Sequence, residues 1–533
     1  MSLRNSAGRW LDDDARGVGL TLLAGAIAAV LVLPVVWLVV DAVRLGDDAV
    51  ALTLAPGTLR VLRTSVALVA VVTAGSVLIG VPLAVLTAQA DLPFSRFFTV
   101  VSALPLAIPS YLGAFAVLAA TGPRGVLSEV LAPVGITVPR IDGFVGAALV
   151  LTLYTYPYVF LTTRASLLSL DASLVAAART LDCGRLEAFR RVTLPQIVPG
   201  IAAGALLVAL YTLSDFGTPN FMGVEVFTQI IWLRQEAFAR DAAVVFSLQL
   251  LAVTAVILAI ESRIGADDAG AYASRGNRGG ISLSLGGWRY PAALLPAAVA
   301  AVAILTPVVV FWLLWVEGGG TGYEFALPQF EPAFGVNSAY VSLFAAGVSV
   351  LVALPIALRS ATTGSRLAAL ADRASYVGYA VPGIVLAIAL IGSSLELAPA
   401  VYQSAPLALL VFAYVVRFVP QAVGSIRTST MQVDRRLTEA ARTLGRSSLS
   451  AFRHVTLPLI APGIATGAAL VFLTTMKELP ATLLLSPLGF DTLVTYIWRV
   501  QEVGAYGQAA VPALALVVVS GLSMAVILAQ ENR

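Results

Sequence analysis

One cysteine (Cys183), one histidine (His454) and one lysine (Lys477) are all that the 533 residues hold of those types, and only 12% of the chain is charged. A lone cysteine excludes a disulfide framework, and with one histidine it cannot build a Cys/His zinc site. The single lysine is followed by Glu478, so the Gly-Lys-Ser/Thr end of a phosphate-binding loop is missing. Any ATP chemistry has to come from another subunit. Charge is about half of the rough quarter usual in soluble proteins, while 59% of residues are hydrophobic and the mean hydropathy is +0.90. Apolar runs of about 18 residues or more recur along the chain, each able to cross roughly 30 Å of hydrocarbon. The expected fold class is an all-α polytopic membrane protein whose environment is the lipid bilayer. The net charge of +3 gives no reason to expect nucleic acid, because the charges sit in membrane loops.

Expected spans cover 19–40, 65–88, 98–120, 144–163, 197–213 and 243–261, then 292–316, 338–358, 374–395, 404–423, 460–476 and 509–529. The first exceeds a signal-peptide core and has no small-residue cleavage site after it, so it is read as a retained span. The stretch 263–290, rich in Gly, Ser, Asp and Arg, reads as a cytoplasmic linker between a first half, 1–262 (TM1–6), and a second half, 291–533 (TM7–12). With the N-terminus inside, cytoplasmic segments carry 23 of the 33 Lys and Arg residues. Basic excess marks the cytoplasmic side, so both termini are expected there.

An internal repeat organises the chain. Residues 171–200 and 434–463 align without a gap at an offset of 263, with 18 of 30 positions identical. The same offset pairs Pro157 with Pro420 and Arg164 with Arg427, and an upstream offset of 273 pairs Pro82 with Pro355 and Pro109 with Pro382. Six spans return the chain to its starting side, so about 12 transmembrane helices form two parallel-repeated six-helix halves. In transporters such a duplication usually places the substrate path between the halves.

Identity is highest in a loop. Residues 175–195 read VAAARTLDCGRLEAFRRVTLP and 438–458 read TEAARTLGRSSLSAFRHVTLP. Each offers a short helical stretch, a glycine break (Gly184 or Gly445), an amphipathic stretch with Phe189 or Phe452, and a Leu-Pro entering the next span. The segment resembles the EAA loop of ABC importer permeases, in which a coupling helix docks on the ATPase. Glu439, Ala440, Ala441, Gly445, Leu457 and Pro458 match that pattern in the loop 434–458. In the loop 171–195, Ala177, Ala178, Leu194 and Pro195 match, but Ala176 replaces the glutamate and Asp182 the glycine, so the bend is expected at Gly184 instead. The plainer alternative is a solvated basic loop that only sets topology.

Past the fifth span of each half lie YTLSDFGTPNFMG (211–223) and TTMKELPATLLLSP (474–487), aligning Ser214 with Lys477 and Asp215 with Glu478. Ser214-Asp215-Phe216-Gly217 and Lys477-Glu478-Leu479-Pro480 resemble the iron(III)-type branch of the same permeases, with thiamine, polyamine and sulfate relatives sharing part of the pattern. Intramembrane charge is costly unless it faces protein, water or another charge. Tyr211, Asp215, Arg417, Lys477 and Glu478 are therefore candidates for a translocation path, with structural pairing as the alternative for each. Arg417 lies about ten residues, roughly 15 Å of helix, before Arg427. It aligns with Tyr154, which excludes a symmetric role and favours structural pairing across the half–half interface. Carboxylates and tyrosines suit a hard cation, and Tyr154, Tyr156, Tyr158 and Tyr211 cluster in sequence, although packing explains tyrosines as well. His454 reads as an exposed loop residue.

The resemblance implies a type I, binding-protein-dependent ABC importer permease of a prokaryotic inner or plasma membrane, a transport subunit and not an enzyme. It implies an ABC ATPase dimer and an extracytoplasmic substrate-binding protein as partners, ATP and Mg on the ATPase, and no cofactor or metal on this chain. Ferric iron is the expected substrate, with thiamine, polyamine or another small solute as alternatives. A 12-helix secondary transporter is the rival class, but most spans lack the ionisable residues that ion coupling uses. No nucleophile elbow or catalytic carboxylate pair suggests an enzyme.

Overall fold

A computed structural model describes residues 3–122, 125–170, 184–266, 284–316, 329–362 and 365–531. Its elements are helical throughout. Among the described residues nine helices are long and apolar enough to cross a membrane, from Val18–Arg44 and Pro56–Gln89 to Pro406–Gln432 and Ser448–Met476. The apolar helix Ala510–Glu531 closes the described chain. Prolines start several of these helices, as at Pro56 and Pro406, where the missing N–H has no helical acceptor to lose.

The stretches expected as spans at 98–120 and 374–395 are sharply bent. Ser95–Ala107 meets Ser110–Ala120 at 89°, and Arg366–Ala380 meets Gly383–Leu397 at 104°. The corners are the repeat-paired Pro109 and Pro382, with extended backbone at ψ 132° and 141°. Proline disfavours the helical conformation in the residue before it, and Ile108 (ψ 130°) and Val381 (ψ 122°) are extended too. Hydropathy registers both sides of such a corner as one apolar run.

Small residues set the closest helix contacts, and they repeat. A Cβ on Gly204 would stand 2.6 Å from Val159 Cα, and one on Gly467 would stand 2.9 Å from Ala422 Cα. One turn earlier, Gly200 and Gly463 are filled by the hydroxymethyl groups of Ser166 and Ser429. All four pairs sit at the 263 offset. Two Gly-x-x-x-Gly faces therefore bring the fifth span of each half against the fourth, since without a hydrophobic drive in lipid close backbone approach gains the packing.

The described residues form two compact units, and these differ from the sequence halves 1–262 and 291–533. One unit gathers Met1–Leu45, Glu331–Tyr496 and Leu522–Arg533, and the other Gly46–Phe330 and Ile497–Gly521. In the first, the opening helix is fastened to the second repeat. Gly392 leaves the space that the Trp37 ring fills, the indole N–H donates to Glu396 Oε2 at 3.2 Å, and Arg44 pairs with Glu396 Oε1 at 2.6 Å. Arg359 Nε donates to Thr21 Oγ1 at 2.8 Å. In the other unit the helix around Ala303 and Phe311 lies against the first repeat. Tyr154 Oη donates to the Ala303 carbonyl at 2.9 Å, and Phe311 meets Phe115 with centroids 5.6 Å apart. The linker 263–290 is described only at its two ends.

Candidate functional site

Two repeat-equivalent carboxylates anchor the membrane part of the site, one in each unit. In the unit holding most of the second repeat, Glu478 is 6% exposed. Its Oε1 takes Arg417 Nη1 at 3.2 Å and the Ala481 N–H at 3.4 Å, so it caps the short helix Pro480–Leu485 while neutralising an intramembrane guanidinium. Thr482 donates its hydroxyl to the Glu478 carbonyl and shares a 2.7 Å hydrogen bond with Tyr414. The expected pairing of Arg417 is thus present, but its partner lies within the same repeat and not across the halves. The space for the pair comes from Gly383, where any Cβ would collide with Arg417 Nη1 and Glu478 Oε1. Lys477 is half-buried at the C-cap of Leu457–Met476.

The equivalent place in the other unit carries different chemistry. Asp215 Oδ1 accepts the Thr218 N–H at 2.9 Å, capping the short helix Gly217–Met222 as Glu478 caps its own. Its Oδ2 accepts the Ser110 hydroxyl, and Ser110 Oγ lies 3.1 Å from Tyr211 Oη. Ser110 is the 273-offset counterpart of Gly383, and Tyr154 that of Arg417 at offset 263. Where the second repeat has an arginine reaching over a glycine, the first has a serine hydroxyl and a tyrosine turned towards Ala303. Among the described residues no basic side chain pairs with Asp215. Tyr211 and Asp215 are thus brought together in one cluster, and Arg417 and Glu478 in another.

The sequence-clustered tyrosines do not converge. Tyr156 is fully buried in an apolar cluster with Leu83, Phe160 and Ile197. Tyr154 is committed to Ala303, while Tyr158 and Tyr211 meet with centroids 6.0 Å apart. Among the described residues no group of three or more His, Cys, Asp or Glu side chains could hold a metal ion.

A third repeated segment escaped the sequence reading because its offset is 266. Phe227–Glu236 (FTQIIWLRQE) and Leu493–Glu502 (LVTYIWRVQE) share Ile, Trp, Gln and Glu at matching places. Both begin with the same anchor: Ser65 Oγ accepts the Phe227 N–H at 3.2 Å, and its counterpart Ser338 accepts the Leu493 N–H at 2.8 Å. Thr228 Oγ1 donates to the Asp215 carbonyl at 2.8 Å, tying this helix to the acidic turn.

The backbone of the second repeated loop, 434–458, is described throughout. Asp434 caps Arg435–Thr443 by accepting the Arg436 N–H at 2.9 Å. The helix ends in a Schellman turn: the Gly445 N–H reaches the Arg442 carbonyl at 3.0 Å and the Arg446 N–H reaches Ala441 at 3.1 Å. Gly445 has φ +86°, the left-handed conformation that glycine adopts without a Cβ penalty. Ser448–Ala451 follows, then a π-helical turn Phe452–Thr456 leads into Leu457 and Pro458. Glu439 and Ala440 are exposed, Ala441 and Phe452 are half-buried, and Leu444 and Leu449 are 85% and 73% exposed. His454 is exposed with Nδ1 2.8 Å from the Ser450 carbonyl. Of the first loop, Ala176, Ala177, Ala178 and Asp182 lie outside the described residues. Gly184 is exposed, and the same π-helical turn, Phe189–Thr193, leads into Leu194 and Pro195.

Comparison with known proteins decides the class. The model of the family "binding-protein-dependent transport system inner membrane component" matches twice, over residues 76–264 and 349–533. The chain belongs to this family. It is a multi-pass inner-membrane permease of the ABC type, with two family domains in one polypeptide, and the secondary-transporter reading falls away. It is 30% identical over 512 residues to an Fe(3+)-transport system permease protein, FbpB 2, of Haemophilus influenzae, covering 94% of this chain and 96% of that one. It is 26% identical to a probable ABC transporter permease protein of Sinorhizobium fredii, covering 83% of this chain and 81% of the relative. The molybdenum transport permease ModB of Mycobacterium tuberculosis is 32% identical; 97% of it aligns with 48% of this chain. A whole relative thus corresponds to about half of the present chain.

Proposed function

We propose that this chain is the membrane permease of a ferric-iron importer, passing iron inward while separate ABC subunits hydrolyse ATP. The observation that carries the substrate is the likeness to the H. influenzae iron permease over 94% of this chain, both fused halves included. Ferric iron is a hard cation that oxygen donors suit, and Asp215, lacking the guanidinium that neutralises Glu478, is the carboxylate best suited to touch it in passing. Tyr211 and Ser110 orient that carboxylate. Arg417, Lys477 and Glu478 form the counterpart on the other repeat, where the Arg417–Glu478 pair is structural.

In this reading the loops 171–195 and 434–458 dock on an ATPase dimer. Exposed Leu444 and Leu449 beside Glu439 supply the apolar and acidic contacts. Both termini and the linker are cytoplasmic, and a substrate-binding protein delivers iron to the outer face. ATP and Mg reside on the ATPase, and this chain carries no cofactor. Closure of the ATPase dimer draws the loops together, and the π-helical turns Phe189–Thr193 and Phe452–Thr456 join that motion to the fifth spans.

Uptake of radiolabelled ferric iron in a deletion strain, with thiamine uptake alongside, tests the substrate. Lost iron uptake, restored by the chain, is expected. Unchanged iron uptake with lost thiamine uptake would leave the permease class standing and remove iron.

A further inference from the structure

Eight aromatic side chains cluster in the unit that holds Asp215, and the centre of that cluster is a pair of repeat-equivalent tryptophans. Trp232 and Trp498 occupy the same place in the 266-offset segments and meet edge to face, centroids 5.6 Å apart at 72°. Phe216, the residue after Asp215, stacks on Trp498 at 5.0 Å and lies 5.3 Å from Trp232. Phe221 stacks on the same indole at 5.1 Å, and Tyr111, Phe115, Phe311 and Tyr506 extend the cluster behind it. Trp232 is 8% exposed, Trp498 4% and Phe216 1%.

Their position relative to the acidic turn is fixed by hydrogen bonds. Thr228, bonded to the Asp215 carbonyl, lies one helical turn before Trp232. Glu236 and Glu502 lie one turn beyond the two tryptophans, and both are exposed. Along this helix the order is therefore acidic turn, closed aromatic layer, exposed carboxylates. Rings stacked about 5 Å apart leave no passage for a hydrated ion, and apolar constrictions close pores by excluding water. The two tryptophans stand on helices that begin from repeat-equivalent serine anchors, and Phe216 packs against both, so the layer separates when those helices part.

We propose that Trp232, Trp498 and Phe216 form the gate that seals the path over Asp215 on the side of Glu236 and Glu502. The inference rests on the reading of Asp215 as a path residue. The gate restrains any small hydrated cation, whatever the cargo.

The test uses the chain assembled with its ATPase subunits in calcein-loaded proteoliposomes, without ATP, reading entry of Co2+ by calcein quenching. The parent complex should be tight. Trp498→Ala and Phe216→Leu should admit Co2+ at least fivefold faster, and Trp498→Phe should restore the seal. Phe216→Leu keeps the test available if the alanine variant does not assemble, since leucine already stands at the equivalent position, Leu479. Phe160→Ala, which opens the apolar cluster around Tyr156, should lower stability with no leak. Assembled Phe216→Leu and Trp498→Ala complexes as tight as the parent would overturn the proposal, as would an equal leak from Phe160→Ala. Asp215→Asn in the same assay should stay tight while iron uptake falls. If it leaves uptake unchanged, the path reading of Asp215 fails, whereas the seal is judged by Co2+ alone.

Discussion

Gly383→Ala adds one methyl group and should be among the most damaging single changes in the chain. Its Cβ would enter the space held by Arg417 Nη1 and Glu478 Oε1, whose 3.2 Å pair is 14% and 7% exposed at its two side chains. Both groups are largely buried, and separating a buried ion pair costs about 3–5 kcal/mol. At about 1.4 kcal/mol per factor of ten, that is a shift of two to three and a half powers of ten in folding equilibrium. With Arg417→Ala and Glu478→Ala already in place the obstruction is gone. The added methyl then fills vacated space and should cost nothing, or gain up to about 0.8 kcal/mol as one more buried CH2. SDS titration of the purified chain in mixed micelles, followed by tryptophan fluorescence, reads all four corners of the cycle. Equal costs of Gly383→Ala in both backgrounds would refute the role assigned to the glycine and the buried pair.

Gly445→Asp should weaken ATPase co-purification without affecting membrane insertion, because a non-glycine residue at φ +86° disrupts the Schellman turn. Glu439→Ala should do the same, and normal co-purification and uptake in both would count against the coupling assignment. Asp215→Asn should lower the iron transport rate several-fold while the complex still assembles; an unchanged rate removes Asp215 from the path. Single cysteines at Ser447 and Ser274, in a Cys183→Ser background, should be shielded from impermeant thiol reagents in intact cells, while cysteines at Gly135 and Thr321 are labelled. The reverse pattern would invert the topology.

Local signals carried far in this chain. Apolar run length placed the helices, and the 263 offset located the repeated loop whose Gly445 turn the structure displays. Three features needed the third dimension. The corners at Pro109 and Pro382 were visible only as paired prolines, because hydropathy sums apolarity and is blind to direction. The partner of Arg417 stands 61 residues away, and neither residue type announces the other. The opening helix joins the second repeat through Gly392 and Glu396, contacts that leave no periodic trace. The tryptophan pair was legible in principle: both Ile-Trp steps stand in the sequence, but at 266, where the flanking turns differ in length by three residues from the preceding repeat.

The central claim is that this chain turns ATP hydrolysis by a separate subunit into inward movement of iron. Purified chain, its ATPase and its iron-loaded binding protein, reconstituted in proteoliposomes, measure that directly. Iron accumulation should require all three proteins and ATP, and should stop when Glu439→Ala and Gly445→Asp are combined. Iron accumulation driven by an ion gradient in the absence of the ATPase would contradict it.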